Sequence, residues 1–312
     1  MNTTRTLTRL VLIVTAVTVA ALGIAGLIGL ATGGFSAGRF GGNGVAVDER
    51  KTLALTGVDL VSIEGVSDDV RIVEGTSDTL EAWLHGTAGT GSAAVPHLGE
   101  DRAGSTLTVR VERDRTIGVG FFWSNVTLEI SVPRGYARKL AVRTVSGNVQ
   151  VADHGFAGLA LSTTSGDLNV GAVSAPELRM STTSGDMSSG AVTSQSVDMS
   201  SVSGRIRVAS LRGDAKLHTT SGDVNVTFGA VGSRVDASST SGDVTLKLPE
   251  GARFQLDARS TSGDIACTFP ITISQGTTGG GRHALAGAVG AAGAGAAQVS
   301  VHTVSGDIRI EK

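Results

Sequence analysis

One cysteine in 312 residues, five prolines and an aromatic content of 4% set the first limits on this chain. The single cysteine, Cys267, cannot bridge within its own chain, so no disulfide framework supports the fold. Five prolines against 44 glycines argue for many tight turns and against a proline-rich stalk. So few aromatics leave the core to small aliphatic and β-branched side chains. A formal net charge of −2 provides no electrostatic footprint for nucleic acid. No lipid-attachment cysteine follows the apolar N-terminal segment.

That segment is the longest apolar run. Arg5 and Arg9 precede an uncharged stretch from Leu10, and residues 10–31 are long enough for a helix to cross a hydrocarbon core. A cleaved signal peptide has a shorter apolar region; Gly29-Leu30-Ala31 would be its cleavage site. The expected organisation is a cytoplasmic N-terminus (1–9), a transmembrane signal-anchor helix (10–31), a glycine-rich tether (32–44), irregular β-rich coils or a cap (45–125) and a repeat region (126–312). The arginines before the span keep the N-terminus inside and send the rest out, which predicts a single-pass, extracytoplasmic location, or secretion if the segment is cleaved.

The repeat is marked by Ser-Gly pairs whose glycines are Gly147, Gly166, Gly185, Gly204, Gly222, Gly242, Gly263 and Gly306. Their spacings are 19, 19, 19, 18, 20, 21 and 43, the last read as about two periods. Constant periods of this size signal stacked repeats. Short segments such as "DVNVTF" and "RFQLDARS" alternate with period two between the markers, and no ten-residue stretch shows helical periodicity. The expectation is an all-β fold, a parallel β-solenoid (β-helix) with about 19–21 residues per coil, in which like residues stack about 4.8 Å apart.

Three columns follow. Two positions before each marker serine stand Thr144, Thr163, Thr182, Ser201, Thr219, Ser239, Ser260 and Thr303, whose parity points them inward as a ladder of hydroxyls satisfying one another. The glycines supply a positive φ at each corner. After them come Asn148, Asp167, Asp186, Arg205, Asp223, Asp243, Asp264 and Asp307. A column of carboxylates raises calcium as a ligand, but two such charges about 5 Å apart in water repel by only about 1 kcal/mol, so turn chemistry alone accounts for them.

"VTLEISVPRGYARKLAVRTVSGNVQV" from Val126, the serial "TSGD" turns and the closing "VSVHTVSGDIRI" resemble the bacterial and archaeal putative adhesin family, a domain of unknown function with serial T-x-S-G-D repeats. The resemblance spans residues 126–312 and implies a β-helix-like domain, right-handed, often carried behind a membrane anchor. Adhesion is the family's label rather than a demonstrated activity.

Pro133-Arg134-Gly135 and Pro249-Glu250-Gly251 each precede a marker serine by thirteen positions and read as a recurring wide turn. Ala284–Val289 reads as a strand of a coil lacking its marker. Among candidate chemistry, the six histidines form no ligand-spaced pair; His218 and His302 share a column about four coils apart. Arg212-Gly213-Asp214 is a corner, Phe121-Phe122-Trp123 a cap or sugar-stacking cluster, and Cys267 a small hydrophobe on a strand's apolar face. Ser162 with Thr164, Ser181 with Thr183 and Ser238 with Thr240 form outward hydroxyl pairs like those of ice-binding solenoids, interrupted by Arg143, His218, Arg259 and His302. No nucleophile-base pair is evident. The functional expectation is a non-enzymatic, membrane-anchored surface-binding module without cofactor, contacting glycan or an envelope protein. The alternatives are an accessory or sensor domain of an envelope-stress system and, further off, a polysaccharide-active enzyme.

Overall fold

A computed structural model describes residues 44–89, 95–113, 124–277, 283–290 and 296–312, all within one compact unit, Asn43–Lys312. Among these residues there is no helix, and so none long and apolar enough to cross a membrane. The segment 10–31 and the tether before Gly44 lie outside the described residues, as does Phe121-Phe122-Trp123.

Alternation produces strands with one wet and one dry face. In Glu177–Ser184, Leu178, Met180 and Thr182 are buried while Glu177, Arg179 and Thr183 are exposed. Equivalent residues one period apart pair in parallel: Leu140 with Leu159, Leu159 with Leu178, Leu178 with Val197, and Val197 with Ala215. Beyond each corner a second strand stacks likewise, through Val149, Leu168, Met187, Ile206 and Val224. The result is a solenoid-like, all-β stack whose inward rows meet in an aliphatic core. Aromatics gather at two places: Phe254 packs edge-on against Phe269, and Tyr136 against Phe156.

The order of the coils departs from the order of the chain at both ends. The N-terminal strands are β1 (Gly44–Leu53), β2 (Leu60–Glu64), β3 (Asp69–Glu74), β4 (Leu80–Gly89), β5 (His97–Ala103), β6 (Thr106–Glu112) and β7 (Ser124–Val132). On one side β2 and β3 pair in parallel with Lys139–Arg143 and Val149–Val151, and on the other with β6 and β7. The first coil in sequence is therefore second in space. Antiparallel strands close this end: β4 on β7, β1 on β4, and β5 on β6. Where the edges of β1 and β5 meet, side chains replace a strand partner. Glu49 Oε2 accepts the Leu98 amide at 2.8 Å and Lys51 Nζ donates to the Leu98 carbonyl at 2.8 Å.

At the other end Ala297–Ser305 pairs with Val224–Ser241 on one side and with Phe254–Ser262 on the other. Ile308–Glu311 lies likewise between Val244–Lys247 and Ile265–Cys267. The last coil in sequence thus fills a slot inside an outer coil laid down earlier. This corrects two expectations. The spacing of 43 conceals no omitted coil, and residues 284–289 belong to His283–Val289, which runs antiparallel on Phe254–Ser260 and carries Ile271–Thr277 as a cap. Both P-x-G turns sit where the chain skips a position: Tyr136 N donates to Pro133 O, and Ala252 N to Pro249 O, each at 2.9 Å.

In a simple stack the terminal coil has one neighbour; here it has two. Deleting residues 297–312 from the full chain is therefore expected to strip hydrogen-exchange protection from Phe254–Cys267 while residues 139–221 stay protected. Unchanged protection at 254–267 would show that the outer coil holds without the inserted one.

Candidate functional site

The corner column is where the regular chemistry lies. A Cβ on Gly147 would fall inside the carbonyl oxygen of Asp68, one on Gly166 inside that of Gly147, and so on through Gly185, Gly204, Gly222, Gly242, Gly306 and finally Gly263. The spatial order again places Gly306 before Gly263. Close approach demands glycine at all eight corners, and the expected positive φ adds to it at four of them. Four of the eight show no positive φ, and Gly185, Gly242, Gly263 and Gly306 lie at φ 150–158, bordering the extended range.

The inward hydroxyls are all buried, but they do not bond one another. Six of the eight donate to the carbonyl of the neighbouring corner glycine: Thr163 to Gly147, Thr182 to Gly166, Thr219 to Gly204, Ser239 to Gly222, Thr303 to Gly242 and Ser260 to Gly306, at 3.0–3.4 Å. Thr144 donates to Val66 O in the first coil. Ser201 Oγ is buried without a partner among the described residues. The expected hydroxyl-to-hydroxyl ladder is corrected accordingly: strands about 4.8 Å apart hold like atoms beyond hydrogen-bond range, while the corner carbonyl lies within it.

The acidic column bonds backbone in the same way. Asp69 Oδ1 accepts the Asn148 amide, Asn148 Oδ1 that of Asp167, Asp167 that of Asp186, and Asp186 that of Arg205, at 2.8–2.9 Å. Further on, Asp223 accepts from Asp243, Asp243 from Asp307, and Asp307 from Asp264, at 2.8–3.0 Å. Two arginines neutralise the second oxygens: Arg205 Nη2 lies 2.6 Å from Asp186 Oδ2, and Arg309 bridges Asp243 at 3.0 Å and Asp307 at 2.7 Å. Hydrogen bonding from Arg205 holds the Asp186 carboxyl below the usual carboxylate range, and the Asp307 amide with Arg309 does the same for Asp243. Among the described residues no group of three or more His, Cys, Asp or Glu is gathered closely enough to hold a metal ion.

Sequence reasoning missed the head of these columns. Val66-Ser67-Asp68-Asp69-Val70 is the first corner, with Asp68 in the glycine's place. The Asp68 side chain, fully buried, pairs with Arg113 instead of meeting another corner backbone. Alignment of "VSDDV" with "VSGNV" was the available signal.

Other candidates resolve individually. His218 and His302 are two strands apart, not four, because the inserted coil brings them to either side of Ser238. His218 Nδ1 contacts Ser238 Oγ at 2.9 Å. Arg212-Gly213-Asp214 lies within a strand, Gly213 beneath the Ser194 carbonyl and Asp214 accepting the amides of Ser233 and Arg234. Cys267 is half-buried at the end of an apolar row, and desolvation pushes its thiol pKa up. The outward pairs Ser162/Thr164, Ser181/Thr183 and Ser238/Thr240 stand on the flat strand face, beside exposed Val145, Val202 and Val304.

The family model described as Toastrack DUF4097 matches residues 58–311. The chain belongs to the Toastrack DUF4097 family. Its match begins at the first coil, well before residue 126. Similar solved structures include a "putative adhesin" from Bacteroides fragilis (10% identity, 85% of this chain and 97% of that chain, TM-score 0.48). A "putative lipid binding protein" from Parabacteroides distasonis (12% identity, 86% and 95%, TM-score 0.42) and a "putative cell adhesion protein" from Clostridium sporogenes (10% identity, 86% and 99%, TM-score 0.26) are further likenesses. No curated protein matches the chain.

Gly204→Ala, forced against the Gly185 carbonyl, is expected to cost about 3 kcal/mol. Gly251→Ala, whose added methyl meets nothing within 4 Å, should stay within about 0.5 kcal/mol of the parent; denaturant midpoints compare them. For the Toastrack acids, Asp167→Ala orphans the Asp186 amide at a cost of about 1 kcal/mol, whereas Asp167→Asn, which reproduces Asn148, should be neutral, and neither calcium nor chelator should move the melting temperature. Because the folded pKa values of Asp186 and Asp243 are depressed, their contribution is complete above the ordinary value of about 3.9 and vanishes as pH falls through the lowered one. Thermal melts across that window should show stability falling below about pH 4, less steeply in Asp186→Asn.

Proposed function

We propose that this chain is a non-enzymatic, adhesin-like binding module, a right-handed solenoid held outside the cell by the helix of residues 10–31. One observation carries the non-enzymatic part of this reading. The regularly arrayed acids, which a polysaccharide-cleaving site would recruit as general acid, base or metal ligands, are committed through Oδ1 to the amides of adjacent coils. The inward rows fill the core, and the corners hold the coils together. What remains for a partner is the outward rows of the flat strands, presented at fixed spacing over the length of the stack, as extended recognition by repeat folds requires.

Full-length protein, solubilised from its membrane, is expected to co-sediment with isolated cell-wall glycan and to release no product from a panel of polysaccharides. Turnover abolished by replacing neighbouring acids would overturn the non-enzymatic assignment. A single membrane-protein partner recovered from crosslinked membranes, with no glycan binding, would favour the accessory or sensor role instead.

A further inference from the structure

One stretch of the outward surface combines unused polar groups with a run of adjoining depressions. On the strand face beyond the corner, a row runs from Trp83 on β4 through Glu129 on β7, Arg71 on β3 and Gln150 to Asn169. Five strands at about 4.8 Å make the row about 19 Å long. The side chains of Arg71, Gln150 and Glu129 enter no hydrogen bond or ion pair among the described residues. Farther along the same face Arg205 is engaged with Asp186 and Arg309 with Asp243 and Asp307, while Arg207 stands unpaired as Arg71 does. Arg71 and Gln150 line two adjoining shallow depressions, one bordered by Asp69, Asn148 and Asp167, the other by Ala152 and Gly171. A third depression, containing Glu129 and Trp83, continues the row toward β1.

The donor and acceptor inventory selects the ligand. Arg71 and the amide nitrogens of Gln150, Asn148 and Asn169 donate; the second oxygens of Asp69 and Asp167 and the Glu129 carboxylate accept. Asn148 and Asn169 have their amide oxygens occupied, by the Asp167 amide and the Ser188 hydroxyl, which orients their nitrogens for a donor role. Donors and acceptors alternating along an exposed strip match sugar hydroxyls, each of which both donates and accepts. Net charge decides between sugar polymers. The three depressions together hold Arg50, Lys51 and Arg71 against Asp69, Glu81, Glu129 and Asp167, so the strip carries no net positive charge to recruit phosphate- or uronate-bearing chains. Trp83 is not a stacking platform: Arg50 lies 4.0 Å over its ring, and its indole N–H donates to Asp48 at 2.7 Å. It ends the row.

We infer that the strip Glu129–Arg71–Gln150–Asn169 binds an uncharged glycan chain lying along the stack, across the strands. This rests on the binding-module reading above and names the surface responsible. The chain's two tryptophans are Trp83 and Trp123, so the full-length W123F protein keeps Trp83 as its sole indole reporter. Short N-acetylglucosamine oligosaccharides are expected to shift Trp83 emission and to compete with cell-wall glycan in co-sedimentation, whereas heparin does neither. Arg71→Ala and Gln150→Ala, both at exposed positions, should each weaken binding about tenfold with melting temperatures unchanged, while Arg207→Ala, farther along the same face, leaves it intact. Glycan binding by the parent that is indifferent to Arg71 and Gln150, or preference for heparin, overturns this site alone. Failure of the parent to bind any uncharged glycan overturns the site together with the reading on which it rests.

Discussion

Backbone-to-backbone contact at the corners governs this fold. The strand ladders fix the rise between coils, and at each corner the chain turns so tightly over its neighbour that the carbonyl of one coil occupies the space where the next would carry a Cβ. Glycine removes that clash and creates two further demands, because the turn takes a carbonyl and an amide out of the ladder. An inward threonine or serine serves the carbonyl, and an aspartate or asparagine serves the amide of the adjacent coil. The T-x-S-G-D pattern therefore solves one steric and two hydrogen-bonding problems together. Asp68 confirms the logic from the other side: where no corner backbone presses on the position, a full side chain is accommodated and is used to hold Arg113.

Much of this was legible before any coordinates. Period, strand class, inward parity of the hydroxyls and the corner glycines can be read from spacing, since each reflects a local rule that every coil obeys. The partners of those side chains were less legible, because a column of like residues is equally compatible with bonds between side chains and bonds from side chain to backbone. Thr163 and Asp167 illustrate both cases: each bonds main chain in the adjacent coil. The order of the coils was not legible from the repeat. A repeat specifies what a neighbour looks like, not which neighbour it is, so residues 297–311 fit the slot beside Val244–Lys247 as well as a place at the end. The P-x-G turns at Pro133 and Pro249 were the one sequence feature shared by the two skips, and their meaning emerges only once the strands on either side are paired.

The interleaving changes the energetics of the stack. A linear array of repeats frays from its ends, since a terminal repeat is held by one interface. Here the outermost strands at each end are earlier or later parts of the chain than the coil they enclose. Fraying of the outer coil must expose the inserted one, and loss of the inserted coil removes the outer coil's parallel partner. Antiparallel strands then cover the outer edges, with Glu49 and Lys51 supplying hydrogen bonds where two sheet edges meet. A chain with one cysteine and few aromatics thus gains cooperativity from topology, in place of disulfides or large core side chains.

The same accounting locates the surface available for recognition. Inward rows are fixed by packing, glycine positions by close approach, and the hydroxyl and acidic columns by the main-chain groups they satisfy. Even the Arg-Gly-Asp tripeptide is absorbed, its aspartate serving the Ser233 and Arg234 amides. Only outward positions away from the corners can change without disturbing a neighbour, and some charges there are already paired, Arg259 with Asp257 along one strand and Lys247 with Glu311 across two. The unpaired guanidinium of Arg71 beside the unpaired amide of Gln150 therefore serves no neighbouring coil. Such groups remain solvated at little cost and contribute nothing to coil registry, so their arrangement in one continuous strip is free to answer to a ligand.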